Sequence, residues 1–243
     1  MGKLRTSDIQ PSTGTTLALG ASGDSIAVSS DSIKANTFQD LGGNSLWVSD
    51  GAGNLTSINT GLAATAGYKL LNTQIASGSA SLTTAELDNT YDEYMFVFTD
   101  LLPVTTAVNF TFQASSDGGS SYSTTQTTSY YRAYHREDDT GAALGYDTAR
   151  DLAQSTSYQQ LTSDLNNEAD GNSCGILHFC KPWQLTFVKN YWSRFSTMTS
   201  TGSVSARAVG VGGYYNTASA IHSLSFKMSS GNFSGVIQTY GIS

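Results

Sequence analysis

"YMFVFTDLLPVTTAVNFTFQASSDGGSSY" occupies Tyr94–Tyr122, and its reading decides the fold. The first ten residues form a nearly continuous apolar run closed by Pro103. A short run of this kind is expected as a strand buried on both faces. Beyond it, Val108, Phe110, Phe112 and Ala114 alternate with other residues, which predicts a strand turning those four side chains inward. Asp117-Gly118-Gly119 then supplies a tight turn, because glycine takes a positive φ without steric cost.

The pattern repeats downstream. "GILHFC" (175–180), "WQLTFV" (183–188), "SVSARAVGV" (203–211), "SLSFKM" (223–228) and "FSGVIQTYGI" (233–242) have strand length and are separated by polar or glycine-containing turns. Such spacing predicts an all-β fold, an antiparallel β-sandwich of jelly-roll-like kind, rather than a parallel α/β sheet. One short helix is expected over Asp147–Ser155, with Asp147 as its N-cap.

Upstream the composition thins. "TTLALGASGDSIAVSSDSIKANTF" (Thr15–Phe38) carries isolated aliphatics and few charges, too little apolar surface to offset its own chain entropy. We expect residues 1–66 to be an extended arm or stem of short strands that attaches or trimerises, and 67–243 to be the sandwich. Within the arm, Ser45–Gly61 reads as a hairpin, with Leu46 and Val48 facing Leu55 and Ile58 across Gly-Ala-Gly.

Charge is scarce in the 243 residues, at 13% against 39% apolar, and the net charge is −7. It is also segregated. Residues 136–170 hold eight acids against Arg136 and Arg150, whereas residues 171–243 contain no Asp or Glu and five Lys or Arg. This asymmetry either neutralises within the assembly or steers an acidic ligand toward the C-terminal part. The acidic total argues against nucleic acid as a partner, and no stretch has the length of a membrane span. No apolar leader is visible at the N-terminus. Cys174 and Cys180 fall on one strand about 20 Å apart, beyond disulfide reach. Buried free thiols are expected, consistent with synthesis in a reducing cytoplasm.

No catalytic pattern emerges. Glu137, Asp138, Asp139, Asp147, Asp151, Glu168 and Asp170 show no distinctive carboxylate spacing. His135, His178 and His222 lie in separate segments without a hydrolase motif. No phosphate or dinucleotide fingerprint is present, so no cofactor is expected. Glu137, Asp138 and Asp139 form a weak calcium candidate without the alternating acidic pattern of a calcium loop. Glycan binding is the better-supported chemistry, because aromatic faces stack on sugar rings. Its candidates are Tyr130, Tyr131, Arg132, Tyr134, Arg136, Trp183, Tyr191, Trp192, Tyr214 and Tyr215, with Lys189 and Arg194 nearby to hold acidic groups. The same aromatics would equally fill a core or an interface.

The opening stretch, together with "AIHSLSFKMSSGNFSGVIQTYGIS" (Ala220–Ser243), resembles tail-fibre and head-fibre proteins of tailed bacteriophages. "STGTTLALGASGDSIAVSS" (Ser12–Ser30) is similar to the repetitive arms of such proteins. The resemblance implies a trimeric, non-enzymatic virion protein made in a bacterial host's cytoplasm, with a jelly-roll head. Its arm would join other virion proteins and its head would meet host polysaccharide. A purely structural capsid-decorating role and a glycan depolymerase are the alternatives. The resemblance further implies a turn at Gly231-Asn232 and a last strand through Gly235, Ile237, Tyr240, Gly241 and Ile242. It is silent on the charged stretch Ala133–Asp151.

Overall fold

The computed structural model describes residues 37–39, 44–52, 54–58, 67–199 and 204–243. The chain divides into two units, residues 1–65 and 66–243. In the first unit β1 (Thr37–Gln39), β2 (Ser45–Ser49) and β3 (Leu55–Ile58) form a three-stranded antiparallel sheet. The expected hairpin is present as β2–β3, and Asp50 accepts the Ala52 and Asn54 amides in its turn. Phe38 stacks on Trp47 at 4.6 Å. Most of the arm expected over 1–66, and with it the question of trimerisation, lies outside the described residues.

The second unit is an all-β sandwich, and the described residues contain no helix. Its strands are β4 (Lys69–Ser79), β5 (Leu82–Thr83), β6 (Glu93–Pro103), β7 (Phe110–Ser115), β8 (Gln126–Arg136), β9 (Ala142–Tyr146), β10 (Gln159–Gln160), β11 (Ser173–Cys180), β12 (Lys189–Thr199), β13 (Ser205–Tyr215), β14 (Ser223–Met228) and β15 (Phe233–Ile242). One antiparallel sheet runs β4-β15-β6-β11-β12-β13-β8-β9, and the other β10-β7-β14-β5. Inner-face aromatics lock them together. Phe226 on β14 lies 5.6 and 5.1 Å from Phe96 and Phe98 on β6, and Phe112 on β7 meets Tyr191 on β12 edge-on at 4.9 Å.

The predicted inward set Val108, Phe110, Phe112 and Ala114 is buried. By contrast β6 is buried on one face only: Tyr94, Phe96 and Phe98 enter the core, while Met95 and Val97 are half-buried on the outer face. Three other expectations are corrected. Residues 183–188 form a loop, because the Gln184 carboxamide oxygen takes the Thr186 and Phe187 amides at 2.6 and 2.7 Å and turns the chain. Asp147–Ser155 is a turn followed by irregular chain, because Arg150 is drawn into ion pairs and the Leu152 amide donates to Thr128 Oγ1 at 2.8 Å. Cys174 and Cys180 are free, as spacing required, yet Cys174 is exposed and Cys180 half-buried, because their side of β11 is the outer one.

The Asp117 turn carries a pH signature. Ser115 Oγ donates to its carboxylate at 2.6 Å, and the Ser121 amide and hydroxyl donate at 2.9 and 2.7 Å. These bonds, Ser115's first, hold the Asp117 carboxyl down at about 2 from its usual 3.8. The turn's contribution is therefore complete above pH 3.8 and fades as pH falls toward 2. An NMR titration of the Asp117 carboxyl is expected to show a midpoint near 2; an unshifted midpoint refutes the bonding described.

Candidate functional site

The register of the eight-stranded sheet sorts the candidate residues by parity. On β8, Tyr130, Arg132, Tyr134 and Arg136 share the inner face, whereas Ser129, Tyr131 and His135 share the outer. On β12 the inner set includes Lys189 and Tyr191, and the outer set Trp192 and Arg194.

Tyr130, Tyr191 and Tyr215 are core residues, at most 3% exposed. Burial drives their phenol pKa values upward, and Tyr191 donates to Gln126 Oε1 at 2.6 Å. None of the three can stack on a ligand. Lys189 is likewise buried, its ammonium donating to the carbonyls of Phe187, Thr217 and Ala218, and desolvation lowers its pKa. Trp183 anchors its loop by donating Nε1–H to the Tyr91 carbonyl at 3.0 Å.

Arg132 joins a polar cluster on the inner side. Asp147 meets Arg132 and Arg150 at 3.2 Å each, and Asp164 meets Arg207 at 2.6 Å, Arg150 at 3.3 Å and Arg132 at 3.8 Å. The Arg207 guanidinium lies 6.0 Å from the Tyr134 ring. Arg132, Tyr134, Tyr146 and Asp147 line an open cleft of about 290 Å³, but Arg132 is already held by the two carboxylates. Arg136 donates from Nη1 to Thr140 Oγ1 at 3.4 Å and packs beside Gly141. This corner therefore ties residues 147–164 to the sheet; Arg132 and Tyr134 take structural contacts there, and Arg136 takes its own in the turn between β8 and β9.

The calcium candidate does not assemble. Asp138 Oδ1 accepts from the Thr140 amide and hydroxyl, Asp139 pairs with His135 at 3.0 Å, and Glu137 joins neither. Among the described residues no three His, Cys, Asp or Glu side chains gather in a way that could hold a metal ion.

The outer face brings the remaining aromatics together. Two cross-strand rows define it: Met95–His178–Trp192–Gly212–Ser129, and Val97–Ile176–Arg194–Gly210–Tyr131. His178 Nδ1–H donates to the Glu93 carboxylate, and the imidazole stacks on Trp192 at 4.1 Å with planes only 7° apart. One face of the indole is thereby covered, yet Trp192 remains 44% exposed. Beyond it stands Gly212, where an added Cβ would meet only Ser129 Oγ, at 3.5 Å. At Gly210 the Tyr131 ring lies across the strand, so that an added Cβ would fall 2.1 Å from its Cζ.

The result is a trough above β13, floored by the half-buried Gly212, with Trp192 on one bank and Ser129 on the other, and closed at one end by the Tyr131 ring lying over the buried Gly210. β12 and β8, the strands carrying those banks, lie roughly 9.5 Å apart, two strand spacings. Tyr214 and Asn190 occupy the next row. Of the ten candidates, Tyr131, Trp192 and Tyr214 thus share this face. Sequence reasoning passed over Ser129, His178, Gly210 and Gly212. The signal was present in "AVGVGG" (208–213), where valines on one parity alternate with glycines on the other. A comparison with family models and with curated proteins finds no match for this chain.

Proposed function

We propose that the chain is a non-enzymatic structural protein of a tailed-phage virion, a trimeric fibre or spike whose β-sandwich head contacts host-surface glycan. The observation that carries the glycan contact is the Trp192–Gly212 trough: a half-exposed indole, backed by His178, beside a floor without side chains. Apolar ring faces with polar neighbours suit the alternating CH and OH faces of sugars. The virion assignment rests on the sequence resemblance. A capsid-decorating role is the second reading. It is favoured by Leu185 and Phe187, 71% and 69% exposed on their loop, an apolar surface that suits cover by another protein chain.

Binding of the purified full-length chain to host cells and to their isolated surface polysaccharide tests the first reading. Capsid association without either form of binding favours the second. Release of reducing ends from the polysaccharide would instead make the protein a depolymerase.

A further inference from the structure

We infer that the trough selects an anionic sugar, with the ring against the free face of Trp192 and its acid group on Arg194. This rests on the glycan-contact reading and adds the ligand class. Arg194 is on β12 two residues from Trp192, roughly 6.7 Å along the strand, and projects from the same face. Its cross-strand neighbours are Ile176 and Gly210, neither of which can pair with a guanidinium. Among the described residues its side chain makes no ion pair and no hydrogen bond. It is exposed.

The surrounding charges reinforce the choice. Glu93 is engaged by His178, and Asp139 by His135 at 3.0 Å. β11, β12 and β13, which supply His178, Trp192, Arg194 and Gly212, all come from the stretch that contains no Asp or Glu. An unpaired guanidinium on an acid-free part of the sheet attracts carboxylate or phosphate and offers either a two-pronged contact. The aromatic wall supplies affinity for the ring, and the guanidinium supplies discrimination between acidic and neutral sugars.

The test measures binding of the full-length chain by calorimetry to alginate, polygalacturonate and polysialate. Each is compared with its carboxyl-reduced form, and phosphorylated mannan forms a further arm. The expected result is binding to at least one acidic polymer, falling about tenfold or more on reduction of its carboxyls or on Arg194→Gln. Trp192→Ala is expected to weaken acidic and neutral forms alike. Binding to phosphomannan alone would identify the acid group as phosphate and support the same site.

Gly212→Val is the folding control. It places a β-branched side chain on a strand where the added Cβ meets only Ser129 Oγ, at 3.5 Å, so the unfolding midpoint should stay at that of the unsubstituted chain, while binding is lost through filling of the trough. Discrimination that survives Arg194→Gln, or preference for reduced polymers, overturns the inference and leaves glycan contact standing. Absence of binding to every polymer overturns the inference, and absence of binding to host polysaccharide as well overturns glycan contact. A change in oligomeric state of Arg194→Gln or Gly212→Val by light scattering gives the face to a second copy and also overturns the inference.

Discussion

Phe226→Ala is expected to lower the unfolding free energy of the sandwich by about 3–5 kcal/mol. Phe226 is fully buried and its ring meets Phe96, Phe98, Phe110 and Phe112, with centroids at 5.6, 5.1, 5.9 and 6.2 Å. It therefore touches both β6 in the large sheet and β7 in the small one. Truncation removes the buried ring and leaves a cavity whose walls are themselves held in strands, so collapse around it is limited. Against a typical domain stability of about 5–15 kcal/mol, the loss is a large fraction of the total. Denaturant titration should show the midpoint falling with an unchanged slope. A loss below about 1 kcal/mol would mean that the two sheets do not meet at this ring.

Asp164→Ala is expected to cost about 3 kcal/mol, more than any loss at an exposed ion pair. Asp164 sits at a left-handed φ of 56°, which aspartate tolerates better than most residues, and its amide donates to Asn109 Oδ1 at 3.0 Å. Its carboxylate bridges Arg150 and Arg207, whose side chains are only 18% and 10% exposed. Arg207 Nε already lacks a hydrogen-bond partner in the buried interior. Removing the carboxylate therefore leaves the Arg207 guanidinium with no counter-charge, held only by Ser163, and takes from Arg150 one of its two carboxylates, in a region that cannot hydrate them freely. Asp164→Asn keeps an acceptor oxygen for one guanidinium and should lose less. Equal, small losses for both variants by thermal unfolding would show that the cluster does not hold residues 147–164 onto the sheet.

The parts of the fold that were legible are those where side-chain parity alone decides the outcome. Phe110 and Phe112 alternate with threonine and glutamine, so no register could bury the wrong face without losing the core. The misread segments depend on partners distant in sequence or on side chains acting as backbone mimics. Arg150 leaves a helical path because Asp164 and Gln160 hold its guanidinium. Residues 183–188 alternate like a strand, yet one carboxamide at Gln184 captures two amides and ends the pairing.

The candidate site was half legible for a related reason. Tyr130 and Tyr131 are chemically identical neighbours, and nothing local says which enters the core. The pairing of Tyr130 with Val211, and of Tyr131 with Gly210, decides it. Trp192 carried a visible signal as an aromatic, but its neighbours in the trough are glycines from another strand. Their contribution is the space they leave, which composition does not advertise.

The most direct test of glycan contact uses the chain's three tryptophans, Trp47, Trp183 and Trp192, as reporters. With indole nitrogens labelled, host-surface polysaccharide is titrated into the full-length protein and the three indole N–H signals are followed by NMR. The account predicts that the Trp192 signal shifts on addition while Trp183, tied to the Tyr91 carbonyl, stays in place. Saturating polysaccharide that leaves Trp192 unmoved, or that moves Trp183 instead, would contradict it.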